Sequence, residues 1–276
     1  SARGNSTDYI LPADLAAGWG VPAGALDPAR DLIADFQAAG FTYVADNTAL
    51  QAIPANTSRL LGLFALSNMN VAKDKVDGRR GNPAVVNDYG LPDQPMLDEM
   101  TDKALEVLKR NKKGFVLMVE AASIDKQAHS MDTERWILDT IEFDRAVARC
   151  LAFAECEEGK GTLVIVTADH ECAGINIIGG SRVTDAALQT RIATGGGAAQ
   201  VRNGVVGTYE SAGFPSYSIA ADGYPVTTDV DYRMLIGYAA NADRYEDWRT
   251  NPQPLRDSQQ PFNNVPPLST YPSGPL

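Results

Sequence analysis

The chain has 276 residues, a net charge of −11, 44% hydrophobic residues and 21% charged residues. These proportions are ordinary for a globular protein that is long enough to bury a substantial core. The acidic balance argues against a nucleic-acid surface, because phosphate backbones are contacted by stripes of lysine and arginine. No apolar run reaches the length that a membrane-spanning helix needs.

Helical and strand-like patterns alternate over the first two-thirds of the chain, which is typical of an α/β fold with crossover helices. The pair Asp27-Pro28 opens the first helix, and Gly40 is expected to end it. The patterns predict a helix, two strands and a long loop in turn, at residues 28–39, 41–45, 60–66 and 67–94.

A second set of elements follows, again alternating between helix and strand. The apolar spacing predicts a helix, a buried strand, a long helix and another buried strand, at residues 95–110, 115–119, 133–157 and 163–166. Beyond residue 180 the pattern becomes irregular, with short strands predicted at 205–209 and 217–220 and a helix at 229–240. We therefore predict a metal-binding α/β core over residues 1–180 and an irregular insertion packed on it over residues 181–276.

Three cysteines occur: Cys150, Cys156 and Cys172. Cys150 and Cys156 fall on one predicted helix, at a spacing unsuited to a disulfide. We interpret all three as buried or idle thiols, and their number does not settle the cellular compartment.

The residues with the clearest chemistry follow the two predicted buried strands. Asp125 and His129 come after the first, and Asp169 and His170 come directly after the second, so that both histidines of the chain lie beside carboxylates. In open parallel sheets, ligands bind just outside the carboxyl ends of the strands. Imidazole with carboxylate is a donor set that zinc prefers, whereas a carboxylate such as Glu120 also suits magnesium.

Spacing supports this interpretation without proving it. Asp125 and His129 are four residues apart, so on one helical turn their side chains point to the same side. Asp-xxx-His pairs and Asp-His dipeptides are nevertheless common as structural features, and an isolated Lys126 would more often be a solvated lysine. The inward-facing Asp144 of the long helix is interpreted as a structural carboxylate without a chemical role.

Three segments together resemble the alkaline phosphatase family: residues 115–129, 140–147 and 162–170. Shorter stretches at 61–64 and 100–105 resemble that family in the same order, and the similarity is dense over residues 27–180. The resemblance implies a three-layer α/β sandwich with a mostly parallel central sheet, of which this chain would form an incomplete version. It also implies phosphate monoester hydrolysis through a phosphoseryl intermediate, with two zinc ions and one magnesium ion.

The resemblance implies a role for each candidate residue. Asp125 and His129 would bind the first zinc, and Asp169 and His170 would bind the second zinc, beside the serine. The two remaining residues are Glu120, which would bind magnesium, and Lys126, which would approach the phosphate.

Two parts of the family pattern are missing from the sequence. The nucleophile of the family lies in an Asp-Ser-Ala type motif, whereas the one Asp-Ser pair here, Asp257-Ser258, is followed by two glutamines and is rejected as the nucleophile. A third zinc-binding histidine of the family has no counterpart either. We therefore expect an internal piece of such an enzyme, inactive alone, which needs remaining segments of the same enzyme.

Other functions stay open at this stage. A related phosphodiesterase or sulfatase-like hydrolase shares this type of metal segment, and a non-catalytic remnant or binding scaffold would explain the missing nucleophile. The expected partners are phosphate monoesters, the remaining segments and a second copy of the chain, with no nucleic acid and no membrane span. The resemblance implies a periplasmic or secreted location.

Overall fold

The structure is a computed structural model, which describes residues 31–65, 68–82, 91–180, 186, 190, 217–228, 230 and 234–238. The chain divides into two compact units. The first comprises Ser1–Ala121 and Ile141–Val166, and the second comprises Ala122–Thr140 and Thr167–Leu276. The predicted domain boundary at residue 180 stays a prediction, because most of residues 181–276 lie outside the described ranges.

Within the described ranges, the first unit carries six helices and strands of its own, most of a further helix, and a short 3₁₀ helix at Glu157–Gly159. In chain order they are α1 (Leu32–Ala38), β1 (Thr42–Val44), α2 (Asn47–Gln51), β2 (Leu60–Gly62), α3 (Ala72–Arg79) and α4 (Leu97–Leu108), followed by the larger part of α6 (Thr133–Glu155). Helix α5 (Ala122–His129) belongs to the second unit.

Local sequence explains where the first elements begin and end. The Asp31 carboxylate accepts a hydrogen bond from the backbone N–H of Ala34 at 2.9 Å and so caps α1. Gly40 follows the helix with φ +86°, a left-handed conformation that glycine adopts without steric cost. The predicted stop at Gly40 is therefore confirmed, whereas the predicted start at Asp27-Pro28 lies outside the described residues.

Strands β1 and β2 pair in parallel, with Thr42 opposite Leu60 and Val44 opposite Gly62. Both strands were predicted, although β2 is shorter than expected. An apolar cluster lies against this pair, and its buried members are Val44, Leu50, Ile53 and Phe64. Parallel strands joined through a helix and packed with further helices confirm the predicted α/β class.

The predicted loop at 67–94 is wrong over part of its length, because it contains α3. This helix carries few apolar residues, and its buried members include Asp74, Lys75 and Asp77. A helix that buries charged side chains shows no apolar period in the sequence, and its stabilising contacts come from distant residues.

The most important of these contacts is a buried ion pair between α3 and α6. The Nζ atom of Lys75 lies 2.5 Å from Oε1 of Glu142, and both residues are less than a tenth exposed. The same ammonium group donates to the carbonyl of Pro95 at 3.2 Å, while Oε1 of Glu142 accepts from the backbone N–H of Leu97 at 2.9 Å. One charged pair therefore joins α3, the start of α4 and α6.

The two segments predicted as buried strands are exposed, which corrects that expectation. Residues 115–119 and 163–166 belong to no strand of the structure, and Val116 and Met118 are 94% and 83% exposed. Exposure alternates along 115–120 as it does along a strand. A buried parallel strand needs neighbours on both edges and covered faces, and within the described ranges no strand pairs with these segments.

We expect this exposed apolar surface to drive self-association, since unpaired apolar strand segments are templates for pairing between chains. Val116→Lys should therefore lower the associated fraction in sedimentation velocity. Its unfolding free energy should stay within about 0.5 kcal/mol of the parent value, because the side chain is almost fully exposed. Val226→Lys, at a residue 61% exposed in the second unit, is the matched control. An equal loss of association in both variants would contradict the assignment.

The second unit contains α5, the first eight residues of α6 and the antiparallel strands β3 (Ile175–Gly180) and β4 (Met234–Tyr238). A helix predicted over 229–240 is wrong in its described part, because β4 pairs with β3. A short apolar run is compatible with a helix or with a strand, and here the pairing with β3 makes the run a strand. The predicted strand at 205–209 lies outside the described residues, and 217–220 forms one bridge, Ile219 to Pro225.

Trp136 of α6 anchors this small sheet. It packs with Met234 and Ile236 in a buried cluster, and its indole N–H donates to the Tyr238 hydroxyl at 2.7 Å. The hydroxyl groups of Tyr238 and Thr133 are also 2.7 Å apart. The start of α6, directly after α5 in the chain, is therefore fixed by both apolar packing and hydrogen bonds.

Among the described residues, no helix combines the length and apolar character needed to cross a membrane.

Candidate metal centre

Helix α5 places the first predicted pair of ligands together. Asp125 and His129 lie one turn apart, with Nε2 of His129 3.4 Å from Oδ2 of Asp125. Ligand atoms bound to a tetrahedral zinc at about 2.1 Å lie about 3.4 Å from one another. The two side chains therefore already have the separation that one shared ion requires.

Residues in α5 and directly after it fix the position of the end of this helix. Ala128 is 1% exposed and fixes the inner face of the helix, while His129 beside it stays 70% exposed in its side chain. Met131 then turns the chain with φ 57°, and Asp132 accepts from the backbone N–H of Arg135 at 3.3 Å, where α6 begins. The helix is thus anchored on one side and presents Asp125 and His129 on a partly open one.

Asp169 and His170 form a second, more exposed pair. Nδ1 of His170 contacts the Glu171 carbonyl at 2.8 Å and must donate there, because a carbonyl only accepts. In the neutral ring this leaves the lone pair on Nε2, which lies 3.6 Å from Oδ2 of Asp169. The hydrogen bond to Glu171 and the charge of Asp169 raise the pKa of His170.

The structure brings a third residue to the first pair. The Sγ atom of Cys172 and one ligand atom each of Asp125 and His129 all lie within 4.8 Å of one another. The thiol lies 3.7 Å from the carbonyl oxygen of Asp125, and burial together with the neighbouring Asp125 raises the pKa of Cys172 to about 11. Sequence reasoning missed this residue, and its position two residues after His170 was the available signal.

The Asp125 carboxylate interacts with both of the other groups. Its Oδ2 atom lies 3.4 Å from Nε2 of His129, and its side chain is hydrogen-bonded with the Cys172 thiol. Carboxylate, imidazole and thiol groups are all donors that zinc accepts, so these residues fit a zinc ion.

The remaining candidates are not members of this group of three residues. Glu120 is exposed and belongs to the first unit, and Lys126 is exposed on α5. Asp144, interpreted as an inward-facing structural carboxylate, is exposed on α6, which corrects its predicted orientation. The roles assigned to Glu120, Lys126, Asp169 and His170 stay predictions.

All three cysteines are free thiols of intermediate exposure, so the expectation that Cys150 and Cys156 form no disulfide agrees with the structure, whereas none of the three is buried.

Comparisons with known proteins point to one family. The family model described as alkaline phosphatase matches residues 4–210. The chain is 46% identical to the alkaline phosphatase of Escherichia coli K12 over 143 residues, which cover 49% of this chain and 30% of the relative. It is 43% identical to alkaline phosphatase H of Pseudomonas aeruginosa over 150 residues, covering 51% and 31% respectively.

A structural comparison finds Thermus thermophilus alkaline phosphatase with a TM-score of 0.45 and 27% sequence identity, over 63% of this chain and 37% of that one. The matches to the two curated relatives thus span about a third of their length. Since the family model covers well over half of the residues, the chain belongs to the alkaline phosphatase family.

Proposed function

We propose that this chain is the metal-holding part of an alkaline phosphomonoesterase, with the serine nucleophile supplied by a segment outside the chain. The observation that carries the proposal is the pair on α5, in which Oδ2 of Asp125 and Nε2 of His129 lie 3.4 Å apart, with Cys172 in the same group of possible ligands. Family membership supports the reaction class, and the matched relatives are named alkaline phosphatases.

Each residue has a distinct task in this proposal. Asp125 and His129 hold the first zinc, Asp169 and His170 hold the second, and Glu120 holds magnesium. When bound, the metals act as Lewis acids that stabilise the charge on the entering and leaving oxygens of the phosphoryl group. The hydrogen bond from Nδ1 of His170 to the Glu171 carbonyl orients the imidazole ring, a common arrangement for histidines that bind metals.

The test is the hydrolysis of p-nitrophenyl phosphate at alkaline pH, with and without zinc and magnesium. We expect turnover that depends on metal once the nucleophile-bearing segment is joined to this chain, and none from the 276-residue chain alone. Turnover that survives metal removal would contradict the proposal. Preference for a phosphate diester or a sulfate ester would assign the chain to a related hydrolase, and inactivity of the completed, metal-loaded protein would make it a non-catalytic scaffold.

Lys126→Ala tests the phosphate-binding assignment. Lys126 is exposed on the same helix as Asp125 and His129, which supports a role for its ammonium group in binding an anionic substrate. In the completed enzyme the variant should raise KM or the inhibition constant for inorganic phosphate about tenfold, which corresponds to roughly 1.4 kcal/mol of lost interaction. Zinc and magnesium content should be unchanged, and zinc loss would show that Lys126 has a different role. Lys113→Ala, at an exposed lysine before α5, is the control.

Location and partners complete the proposal. The completed enzyme would act in the periplasm or outside the cell, on phosphate monoesters. The exposed apolar segments of the first unit, 115–119 and 163–166, would be covered by the remaining segments of the enzyme or by a second copy of the chain.

A further inference from the structure

We infer that Glu171 is a positioning residue of the second zinc site: its carboxylate closes a turn over residues 171–174, and this turn fixes the backbone carbonyl that holds the His170 ring. The inference rests on the proposed function, because His170 is a zinc ligand only within that proposal. The carboxylate is engaged with the backbone of the turn, so it orients a ligand and is not itself one. All of the contacts involved lie within the second unit.

The turn has a backbone conformation that only specific contacts can maintain. Ala173 and Gly174 follow one another with φ of 61° and 60°, and alanine, unlike glycine, rarely adopts this left-handed conformation. Among the described residues, positive φ outside glycine occurs only at Ala173 and Met131, and each of them follows a candidate histidine within three residues. Such conformations persist where neighbouring contacts hold them, and they concentrate at functional sites.

The Glu171 side chain supplies the contact that holds the turn. Its Oε1 atom accepts a hydrogen bond from the backbone N–H of Gly174, which closes the turn. The Gly174 carbonyl in turn accepts from the Asn176 side chain at 2.9 Å. Ile175 begins β3 and packs against the Trp136 cluster, so the far end of the turn is fixed as well. The turn therefore joins an anchored strand to the second pair of candidate ligands.

The turn matters for His170 because packing gives the ring little support. The His170 side chain is 56% exposed. Its Nδ1 atom donates to the Glu171 carbonyl at 2.8 Å, which leaves the lone pair of the neutral ring on Nε2, the atom available to a metal. If the turn loosens, the carbonyl changes direction and the ring exchanges between its two tautomers. In the tautomer with the proton on Nε2, that atom has no lone pair for the metal.

The competing interpretation is that Glu171 acts through its charge. An exposed carboxylate near a metal site attracts cations whatever its orientation, although exposed charges interact weakly in water. Two substitutions separate the interpretations: Glu171→Gln keeps an oxygen that can accept from Gly174 and removes the charge, whereas Glu171→Ala removes both. A third substitution, Ala173→Val, keeps the carboxylate and strains the turn, because β-branched residues are disfavoured at positive φ.

Histidine ring tautomers in the metal-free 276-residue chain provide the first measurement. The chain has two histidines, so ¹⁵N NMR of the imidazole groups at alkaline pH shows two neutral rings, which His129→Gln assigns. We expect the proton of the His170 ring on Nδ1 in the parent chain and in Glu171→Gln. Glu171→Ala and Ala173→Val should both give a mixture of tautomers. Glu157→Ala, which removes an exposed carboxylate of the 3₁₀ helix in the first unit, is the control and should match the parent.

Zinc titration of the same rings provides the second measurement. Loss of a partner that orients a metal ligand weakens metal binding by about 10–100-fold, so zinc should bind His170 at least about tenfold more weakly in Glu171→Ala than in the parent chain. Glu171→Gln should restore the parent affinity, and zinc affinity at His129 should be the same in all three chains. The midpoint of urea unfolding should not change, because Glu171 is exposed. A residue with a merely structural role would change that midpoint and leave the tautomer as it is.

The outcomes separate the positioning role from the proposed function. A full Nδ1 tautomer in Glu171→Ala, or an equal loss of that tautomer in Glu171→Ala and Glu171→Gln, would overturn the positioning role and leave the proposed zinc sites intact. His170 signals of the parent chain that do not respond to zinc would overturn the second zinc of the proposed function, and the role of Glu171 with it.

Discussion

Glu142→Ala is expected to lower the unfolding free energy by about 3–5 kcal/mol, because it leaves one charge of a buried ion pair without its partner. The Lys75 ammonium group would stay less than a tenth exposed without a carboxylate beside it. The backbone N–H of Leu97, which donates to Glu142, would lose its acceptor as well. Urea unfolding followed by circular dichroism measures the change.

Two comparisons make this prediction specific. Glu158→Ala removes a carboxylate that is 64% exposed and lies 3.7 Å from Lys109, so it should cost less than about 1 kcal/mol. The double variant Lys75→Met/Glu142→Leu should be nearly as stable as the parent chain, since apolar replacement of both partners removes the buried charges together. If Glu142→Ala were as mild as Glu158→Ala, the pair would not join α3 to α6 in solution.

Asp125→Ala is expected to abolish zinc binding at the cluster on α5, with an affinity loss of more than about 100-fold. Asp125 supplies the carboxylate oxygen that lies 3.4 Å from Nε2 of His129, so the variant removes one of the two donors of the pair. Because the Asp125 side chain is 38% exposed, its loss should lower the unfolding free energy of the metal-free chain by less than about 1 kcal/mol. If Asp125→Ala loses zinc binding but keeps its unfolding free energy, Asp125 is a metal ligand and not a structural carboxylate.

Zinc stoichiometry and affinity are measured by titration with a chromogenic chelator, and the folded state is checked by thermal unfolding. Asp144→Ala is the matched control, because Asp144 is an exposed carboxylate on α6 without an assigned role. It should bind zinc as the parent does. Full zinc affinity in Asp125→Ala, or an equal loss in both variants, would remove Asp125 from the site.

Two helices with strong local signals were predicted correctly. The helix α4 was expected from its apolar spacing and the long helix α6 likewise, and both are present. The polar helix α3 was missed because Lys75, which helps to fix it, pairs with Glu142, 67 residues away. Strand β4 was mistaken for a helix because its apolar run fits either structure until β3 supplies the hydrogen bonds.

The candidate site likewise contains residues that the sequence predicted and one that it did not. Asp125 and His129 were predicted from a four-residue spacing, which one helical turn converts directly into proximity. Cys172 was interpreted as an idle thiol, because a contact across 43 residues of chain leaves no periodic trace in the sequence. A single cysteine carries no metal signal until folding brings other ligands to it.

The sequence by itself determined the family, the α/β class and the helical pair Asp125 and His129, since motifs and short spacings are local properties of the chain. Tertiary structure alone decided which distant groups meet: Lys75 with Glu142, Trp136 with Tyr238, and Cys172 with Asp125. It also showed that residues 115–119 lack strand neighbours within the described ranges. The physical reason is that the periodicity of a segment indicates only which of its faces prefers burial. The tertiary structure determines which other groups cover that face or pair with the segment.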